Sequence, residues 1–217
     1  MDDVNPYKLG KCRTEDSENQ KPVVAYEIRN SLYLNLTTDC TNACYFCVRF
    51  QTDCVRGYNL HIDYQPTLQE VLDAIGDPTK YRSIVFCGYG EPTLRLDILK
   101  EVAKYCKDRG SYVRLVTNGH GNLIHKRNIV PELAGLIDMV DISLNAENAE
   151  LYNKVTQPLW GEETYPAILE FIKECVAVLP VVECTVVTVP EIDVEKCRQI
   201  ATDLGATFRV RALDDVG

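Results

Sequence analysis

Residues 31–47 read Ser31-Leu32-Tyr33-Leu34-Asn35-Leu36-Thr37-Thr38-Asp39-Cys40-Thr41-Asn42-Ala43-Cys44-Tyr45-Phe46-Cys47. The first six alternate in apolar character and read as a buried strand. The strand opens directly into a loop in which three and then two residues separate Cys40, Cys44 and Cys47. That spacing is a cluster-binding loop. A [4Fe-4S] cube has four irons, and this loop offers three thiolates, so one iron is left to take a small molecule.

Zinc and disulfide readings compete for the same cysteines. A structural zinc site closes its tetrahedron with four nitrogen or sulfur ligands, usually in two pairs. The chain contains no second Cys-x-x-Cys and no His-x-x-x-His downstream. Disulfides need an oxidising compartment, and the start, Met1-Asp2-Asp3-Val4-Asn5-Pro6, has neither the basic nor the apolar segment of an export signal. A cytoplasmic location is expected.

With 217 residues, the chain suits one well-packed domain. Residues 1–22 are polar, with the run Thr14-Glu15-Asp16-Ser17-Glu18-Asn19-Gln20-Lys21, and read as an extension. Residues 23–217 read as the single core domain. The ten cysteines are about 5% of the chain, below the roughly 8–10% of a disulfide scaffold. The net charge of −9 argues against a general phosphate-binding surface and against a nucleic-acid partner. Lys100, Lys104, Lys107 and Arg109 read as a solvated helix face. The longest apolar stretch, Val176 to Val189, is interrupted by Pro180 and Glu183 and is too short to cross a bilayer.

From Val23 onward, strands and helices alternate. Val23–Ile28 reads as a short preliminary strand. Thr67-Leu68-Gln69-Glu70 is a capping-box pattern opening a helix with Leu68, Val71, Leu72 and Ile75 on one face, stopped at Gly76. Ser83–Cys87 is a strand; Leu94, Ile98, Val102 and Cys106 stripe a helix ending before Gly110. Tyr112–Thr117 is the next strand. A helical stretch over Asn122–Ala134, broken at Pro131, leads to a strand at Met139–Leu144. Ile168, Phe171, Ile172, Cys175 and Leu179 stripe a long helix, and Val181–Val189 is a β-branched strand. A helix from about Asp193, stopped at Gly205, precedes a last strand at Ala206–Val210. Short β-α-β units force parallel strands, with both sheet faces covered and strands apolar on both sides, so the fold class is α/β. An open doubly wound sheet and a partial barrel both satisfy this pattern. In either case ligands bind at the C-terminal ends of the strands.

Those ends carry Cys40, Cys44 and Cys47; Gly88-Tyr89-Gly90-Glu91-Pro92; Thr117-Asn118-Gly119-His120; Ser143 and Asn145; Thr188 and Glu191; and Arg209 and Arg211. Glycines beside a carboxylate leave backbone groups open to a ligand, and Glu91 can accept from an ammonium, so an amino-acid ligand suits this rim. His120 ends the third strand, within reach of a substrate. His61 and His125 read as surface residues. Cys12 and Cys54 fall near the cluster loop without multi-cysteine spacing. Cys87, Cys106, Cys175, Cys184 and Cys197 read as small core residues.

The pattern Cys-x-x-x-Cys-x-aromatic-Cys, with Phe46 as the aromatic, followed one strand later by Gly90-Glu91-Pro92, resembles the radical SAM superfamily. The segments Asn30–Asn35, Phe86–Pro92, Asn122-Leu123-Ile124-His125 and Ser143-Leu144-Asn145-Ala146 resemble the small TatD-associated radical SAM proteins, over about Val23 to Arg211. The resemblance implies a partial (βα)6 TIM-like barrel. It implies that Cys40, Cys44 and Cys47 ligate a [4Fe-4S] cluster whose open iron chelates S-adenosylmethionine (SAM). Gly90 and Glu91 would hold the methionine amino group, with Gly88 a further cofactor-binding position; Phe46 would pack near the adenine, and Ser143 and Asn145 near the ribose or carboxylate. Thr117 and Asn118 are further candidates. Tyr89 occupies the middle position of the commoner Gly-Gly-Glu-Pro form, and strand five lacks the frequent Gly-x-Ile-x-Gly-x-x-Glu pattern.

The activity so implied is reductive cleavage of SAM to a 5′-deoxyadenosyl radical that abstracts hydrogen from a substrate. Its partners would be that unidentified substrate and an electron donor such as a flavodoxin or ferredoxin. A loop, a partner or the substrate would have to close the barrel mouth, and the 1–22 extension and the Gln51–Gln65 loop with Arg56 and Tyr58 are candidates, each more simply a surface segment or connection. An electron-transfer module with a fully ligated cluster, and a zinc-stabilised domain, are the competing readings.

Overall fold

The computed structural model describes residues 21–212, so Cys12 and nearly all of the polar extension lie outside the described residues. The chain enters through β1 (Ala25–Ile28) and β2 (Ser31–Leu34), an antiparallel pair. Arg29 and Asn30 join them with φ of 49° and 63°. Two consecutive left-handed residues form the turn whose twist matches that of the strands it connects. From β2 the chain runs through five further parallel strands: β5 (Ser83–Phe86), β6 (Val113–Thr117), β7 (Met139–Ser143), β8 (Val181–Val187) and β9 (Thr207–Arg211). A two-stranded hairpin, β3 (Cys54–Val55) with β4 (Tyr58–Asn59), stands apart.

The sheet order is β1-β2-β5-β6-β7-β8-β9. Helices α1 (Leu68–Ile75), α2 (Leu96–Lys107), α3 (Gly121–His125), α4 (Val130–Leu133), α5 (Ala149–Thr156), α6 (Thr164–Val178) and α7 (Val194–Asp203) form the crossovers. Their apolar stripes seal one face of the sheet. Ile84, Phe86, Leu115, Val140, Ile142 and Cys184 from the strands join Leu99, Val102, Ile168, Phe171 and Ile172 from the helices in one buried cluster. The other face curls inward. Tyr26 and Tyr33 of the first two strands and Arg209 and Arg211 of the last border one cavity, yet β1 and β9 do not pair. The sheet is therefore a partial barrel of the α/β class, open between its first and last strands.

The expected elements form, with four differences. The capping box of α1 is present, with Thr67 Oγ1 accepting from Glu70 N at 3.3 Å and Glu70 Oε2 from Thr67 N at 2.8 Å. The stretch 122–134 breaks earlier than Pro131, because Lys126 turns left-handed at φ 53° and ends α3. Leu94 lies in a 3-10 turn, Pro92–Arg95, that precedes α2. Helix α5 has no clear periodic signature in the sequence, since it is only two turns long; it is capped by Asn148 and buries Tyr152 and Val155. The strands are not apolar on both faces: Arg114, Asp141, Glu183 and Thr185 point to the inside of the barrel, where Arg114 and Asp141 pair at 2.8 Å.

The basic residues of α2 do not form an anion patch. Lys100 pairs with Glu132 and Lys107 with Asp138, each at 2.7 Å, Lys104 pairs with Asp108, and the Arg109 guanidinium lies over the Tyr105 ring. Among the described residues, no helix is long and apolar enough to cross a membrane.

Candidate functional site

The cysteine loop leaves the C-terminal end of β2 and is held on both sides. Ala43 N donates to Thr156 O at 2.8 Å and Leu159 N to Thr41 O at 2.9 Å, fastening the loop to α5 and the turn after it. From the opposite side Arg49 donates to Thr38 O at 3.1 Å and to Asn42 O at 2.6 Å, so one guanidinium spans the loop. Cys40, Cys44 and Cys47 are half-buried and line a single cavity of about 260 Å³.

The Gly88–Pro92 segment packs against the start of that loop. Glu91 N donates to Asp39 O at 2.8 Å, and a Cβ on Gly90 would collide with the carbonyl oxygens of Thr37 and Asp39. Gly88 is in the same position against the Asn35 side chain. These glycines permit close backbone approach rather than a left-handed turn. Tyr89, in place of a third glycine, is buried and donates its hydroxyl to Thr52 O at 2.6 Å, tying the segment to the hairpin.

Glu91 is 2% exposed, and its carboxylate already has partners. Oε1 accepts from Thr93 N at 3.0 Å, Thr93 Oγ1 at 2.7 Å and Thr117 Oγ1 at 2.7 Å; Oε2 accepts from Asn118 N at 2.8 Å. Burial raises its pKa above the ordinary carboxylate value, and these four donors oppose the rise. Glu91 thus fixes the Thr117-Asn118 strand end. Asn118 in turn donates to Thr41 Oγ1 at 2.9 Å and reaches Cys40 Sγ at 3.8 Å. The Gly-Glu-Pro segment and the third strand end both converge on the loop at Cys40.

His120 completes this scaffold and corrects its expected role. It is fully buried, with Nδ1 2.7 Å from Thr41 Oγ1 and Nε2 2.8 Å from the Tyr152 hydroxyl, so it does not face a substrate. Tyr152 also accepts from Asn42 Nδ2 at 3.1 Å. Thr41, Asn42 and Tyr152 carry no sequence signal, because lone hydroxyl and amide groups on a loop and a distant helix leave no spacing to detect. His125 is likewise not a free surface residue: its Nε2 lies 2.8 Å from Thr93 O. His61 is exposed, 3.4 Å from Asp53. Cys54 is buried in β3, and Cys106, Cys175, Cys184 and Cys197 are core residues as expected. Cys87 differs: it borders the cavity.

Ser143, Asn145 and Phe46 line the same cavity as the thiols, together with Gly88, Gly90, Glu91, Thr117 and Asn118. Phe46 packs edge-on against Tyr45 with ring centroids 5.4 Å apart. Asn145 is 4% exposed and left-handed at φ 56°, a conformation that asparagine tolerates better than most residues. Its Oδ1 and the Oγ1 of neighbouring Thr185 are buried without hydrogen-bond partners. Buried polar atoms of this kind are rare and require a partner. Both residues line the cavity that the thiols border. The Gln51–Gln65 segment is more than a connection, since Val55 and Leu60 of the hairpin region wall the cavity.

The thiol chemistry fits a cluster. Burial pushes Cys40 up to about 11 and raises Cys44 and Cys47, and the neighbouring cysteines add to the effect on Cys44. Without a metal charge beside them the three stay protonated, so ligation must release protons. Among the described residues no group of three His, Cys, Asp or Glu side chains is gathered as one metal ion would require. The three thiols border one common cavity, and three thiolates are one short of the four ligands that a structural zinc ion takes.

Comparison with known proteins agrees with this chemistry. The model of the Radical SAM superfamily matches residues 34–204. A probable GTP 3′,8-cyclase of Methanocaldococcus jannaschii is 33% identical over 135 residues, covering 60% of this chain and 41% of that one. A probable GTP 3′,8-cyclase of Thermococcus kodakarensis is 30% identical over 152 residues, covering 69% and 44% respectively. The chain thus spans less than half the length of these relatives. Among solved structures, a radical SAM methyltransferase from Sphaerobacter thermophilus aligns with 87% of this chain and 68% of its own, at 14% identity and a TM-score of 0.42.

Proposed function

This chain belongs to the radical SAM superfamily, whose members use a [4Fe-4S] cluster and SAM, and from that premise we propose that it is an enzyme abstracting hydrogen from a small substrate held inside the barrel. The observation that carries the proposal is one cavity shared by the three loop thiols and by the orphaned acceptors of Asn145 and Thr185. Cys40, Cys44 and Cys47 would hold three irons of the cluster, leaving the fourth for SAM. When bound, that pair supplies reductive homolysis of a carbon–sulfur bond and a 5′-deoxyadenosyl radical.

The chain's own residues orient and shield. Arg49 and the His120–Tyr152–Asn42 network hold the cluster loop in one conformation. The backbone around Gly88 and Gly90 would receive the methionine amino group, with Glu91 acting through the strand end it fixes, because its oxygens already accept four hydrogen bonds. Thr117 and Asn118 would border the methionine, Phe46 would pack on adenine, and Ser143, Asn145 and Thr185 would meet the ribose or carboxylate. Tyr26, Val55 and Leu60 wall the cavity with apolar surface that excludes water. The segments Asn30–Asn35 and Phe86–Pro92 support placing the chain with the small TatD-associated members. A one-electron donor such as a flavodoxin or ferredoxin would serve as reductant.

The test is SAM cleavage. Anaerobically reconstituted, reduced protein is incubated with SAM, and methionine and 5′-deoxyadenosine are quantified. Their formation in equal amounts, lost in Cys44→Ala, is expected. A reconstituted cluster that yields neither product would favour the electron-transfer reading.

A further inference from the structure

The inner wall carries charges that cluster and SAM binding do not use. Arg114 faces inward on β6, opposite Val85 of β5. It precedes Thr117 by three residues, which places it roughly 10 Å below the strand end, toward the barrel floor. Arg114 Nη2 donates to Asp141 Oδ2 at 2.8 Å, and Arg209 of β9 donates to Asp141 Oδ1 at 3.4 Å and to Glu183. Ion pairing alone would make these four side chains a self-neutralised strut. Their placement makes them more than that.

The two carboxylates brace the guanidiniums, and Glu183 lines a second cavity together with Arg114 and Arg209. Asp141 is fully buried, and neither it nor Glu183 borders the cavity that holds the thiols, whereas Arg114, Arg209 and Arg211 all do. Among the described residues the one carboxylate on that lining, Glu91, is already engaged by four donors. Arg114 Nε is buried and has no hydrogen-bond partner. Tyr26, Ile28 and Tyr33 of β1 and β2 line the same cavity and belong to a small apolar cluster. The space below the cluster mouth therefore has a cationic wall and an aromatic one. A guanidinium presents a planar fork of donors suited to a carboxylate or phosphate.

We infer that Arg114 and Arg209 bind the anionic head of the substrate, a small molecule with an apolar or aromatic body that lies against Tyr26 and Tyr33. This rests on the enzyme reading above for the word substrate, and the anion site itself is testable apart from it.

Isothermal titration of the reconstituted, SAM-loaded chain with phenylacetate, phenyl phosphate and neutral phenylacetamide reads it out. At least one anion should bind tenfold or more tightly than the amide, and the preferred one identifies carboxylate or phosphate as the head group. Arg209→Gln and Arg114→Lys should each weaken that anion at least fivefold, with melting temperature, iron content and response to SAM retained. Arg114→Lys keeps a cation beside buried Asp141, so loss of the fork is separated from misfolding. Equal binding of anion and amide, no binding of either anion, or unchanged affinity in Arg209→Gln would overturn the inference. A chain with about four irons and a SAM response that fails this discrimination refutes the anion site alone. Selective anion binding without cluster or SAM response refutes the enzyme reading instead.

Discussion

The two faces of one sheet have opposite chemistry. On the outer face Val113 and Leu115 of β6, Val140 and Ile142 of β7 and Cys184 of β8 are sealed under helices. On the inner face the alternating residues of the same strands are Arg114, Asp141, Ser143, Glu183 and Thr185. Successive side chains on a strand point to opposite sides, so five residues can serve packing and polar chemistry at once. The outer face makes the fold stable; the inner face and the loops above it make it reactive. Substitutions on the two faces should therefore fail in different assays.

The largest contrast lies between cysteines. Cys44→Ala should reduce bound iron from about four per chain to near zero, while Cys175→Ala, sealed in the core, should leave iron content intact. Equal loss of iron in both variants would break the distinction. Next, Phe171→Ala on the helix side should cost about 3–5 kcal/mol of stability in denaturant unfolding, with iron per folded chain unchanged. Glu91→Gln should cost about 2–3 kcal/mol, because a neutral amide presents donors to the hydroxyls and N–H groups that the carboxylate accepts. It should also weaken SAM binding by displacing Asn118, and unchanged SAM affinity would separate the Gly-Glu-Pro segment from the strand end it holds.

A pH titration addresses the scaffold under the loop. Burial lowers His120 from 6.5 to about 3. Below pH 6.5 the unfolded chain takes up a proton that the folded chain refuses, so this contribution is full above 6.5 and is lost on acidification by about 1.4 kcal/mol per pH unit. The chain should lose stability between pH 6.5 and 5 with that added slope, and His120→Asn, though less stable at pH 7, should lack it. The smallest effect is expected at the surface: Lys104→Ala breaks an exposed pair with Asp108 and should change stability by about 0.5 kcal/mol or less.

Legibility in the sequence followed the same division. The outer face and the crossovers were readable because helix and strand periodicities repeat within each element, as in the Thr67 capping box and the stripe Ile168, Phe171, Ile172 and Cys175. The cysteine loop stands out in the sequence because its three thiols are close together. The curling of the sheet does not, since β-α-β repeats suit open sheets and barrels alike, and only the meeting of Tyr26 and Tyr33 with Arg209 and Arg211 distinguishes them. The braces Thr41, Asn42, His120 and Tyr152 were also hidden, because they meet across separations of up to 110 residues. The partners of Glu91 are hidden in the same way, since they are hydroxyls and N–H groups of Thr93, Thr117 and Asn118.

The central claim is that three thiolates leave one iron open to SAM. Iron and sulfide are counted on anaerobically reconstituted protein, and the EPR spectrum of the reduced cluster is recorded before and after SAM is added. About four irons and four sulfides per chain, with a spectrum that changes on adding SAM, are expected. A fully ligated cluster whose spectrum ignores SAM, or zinc without sulfide, would contradict the claim.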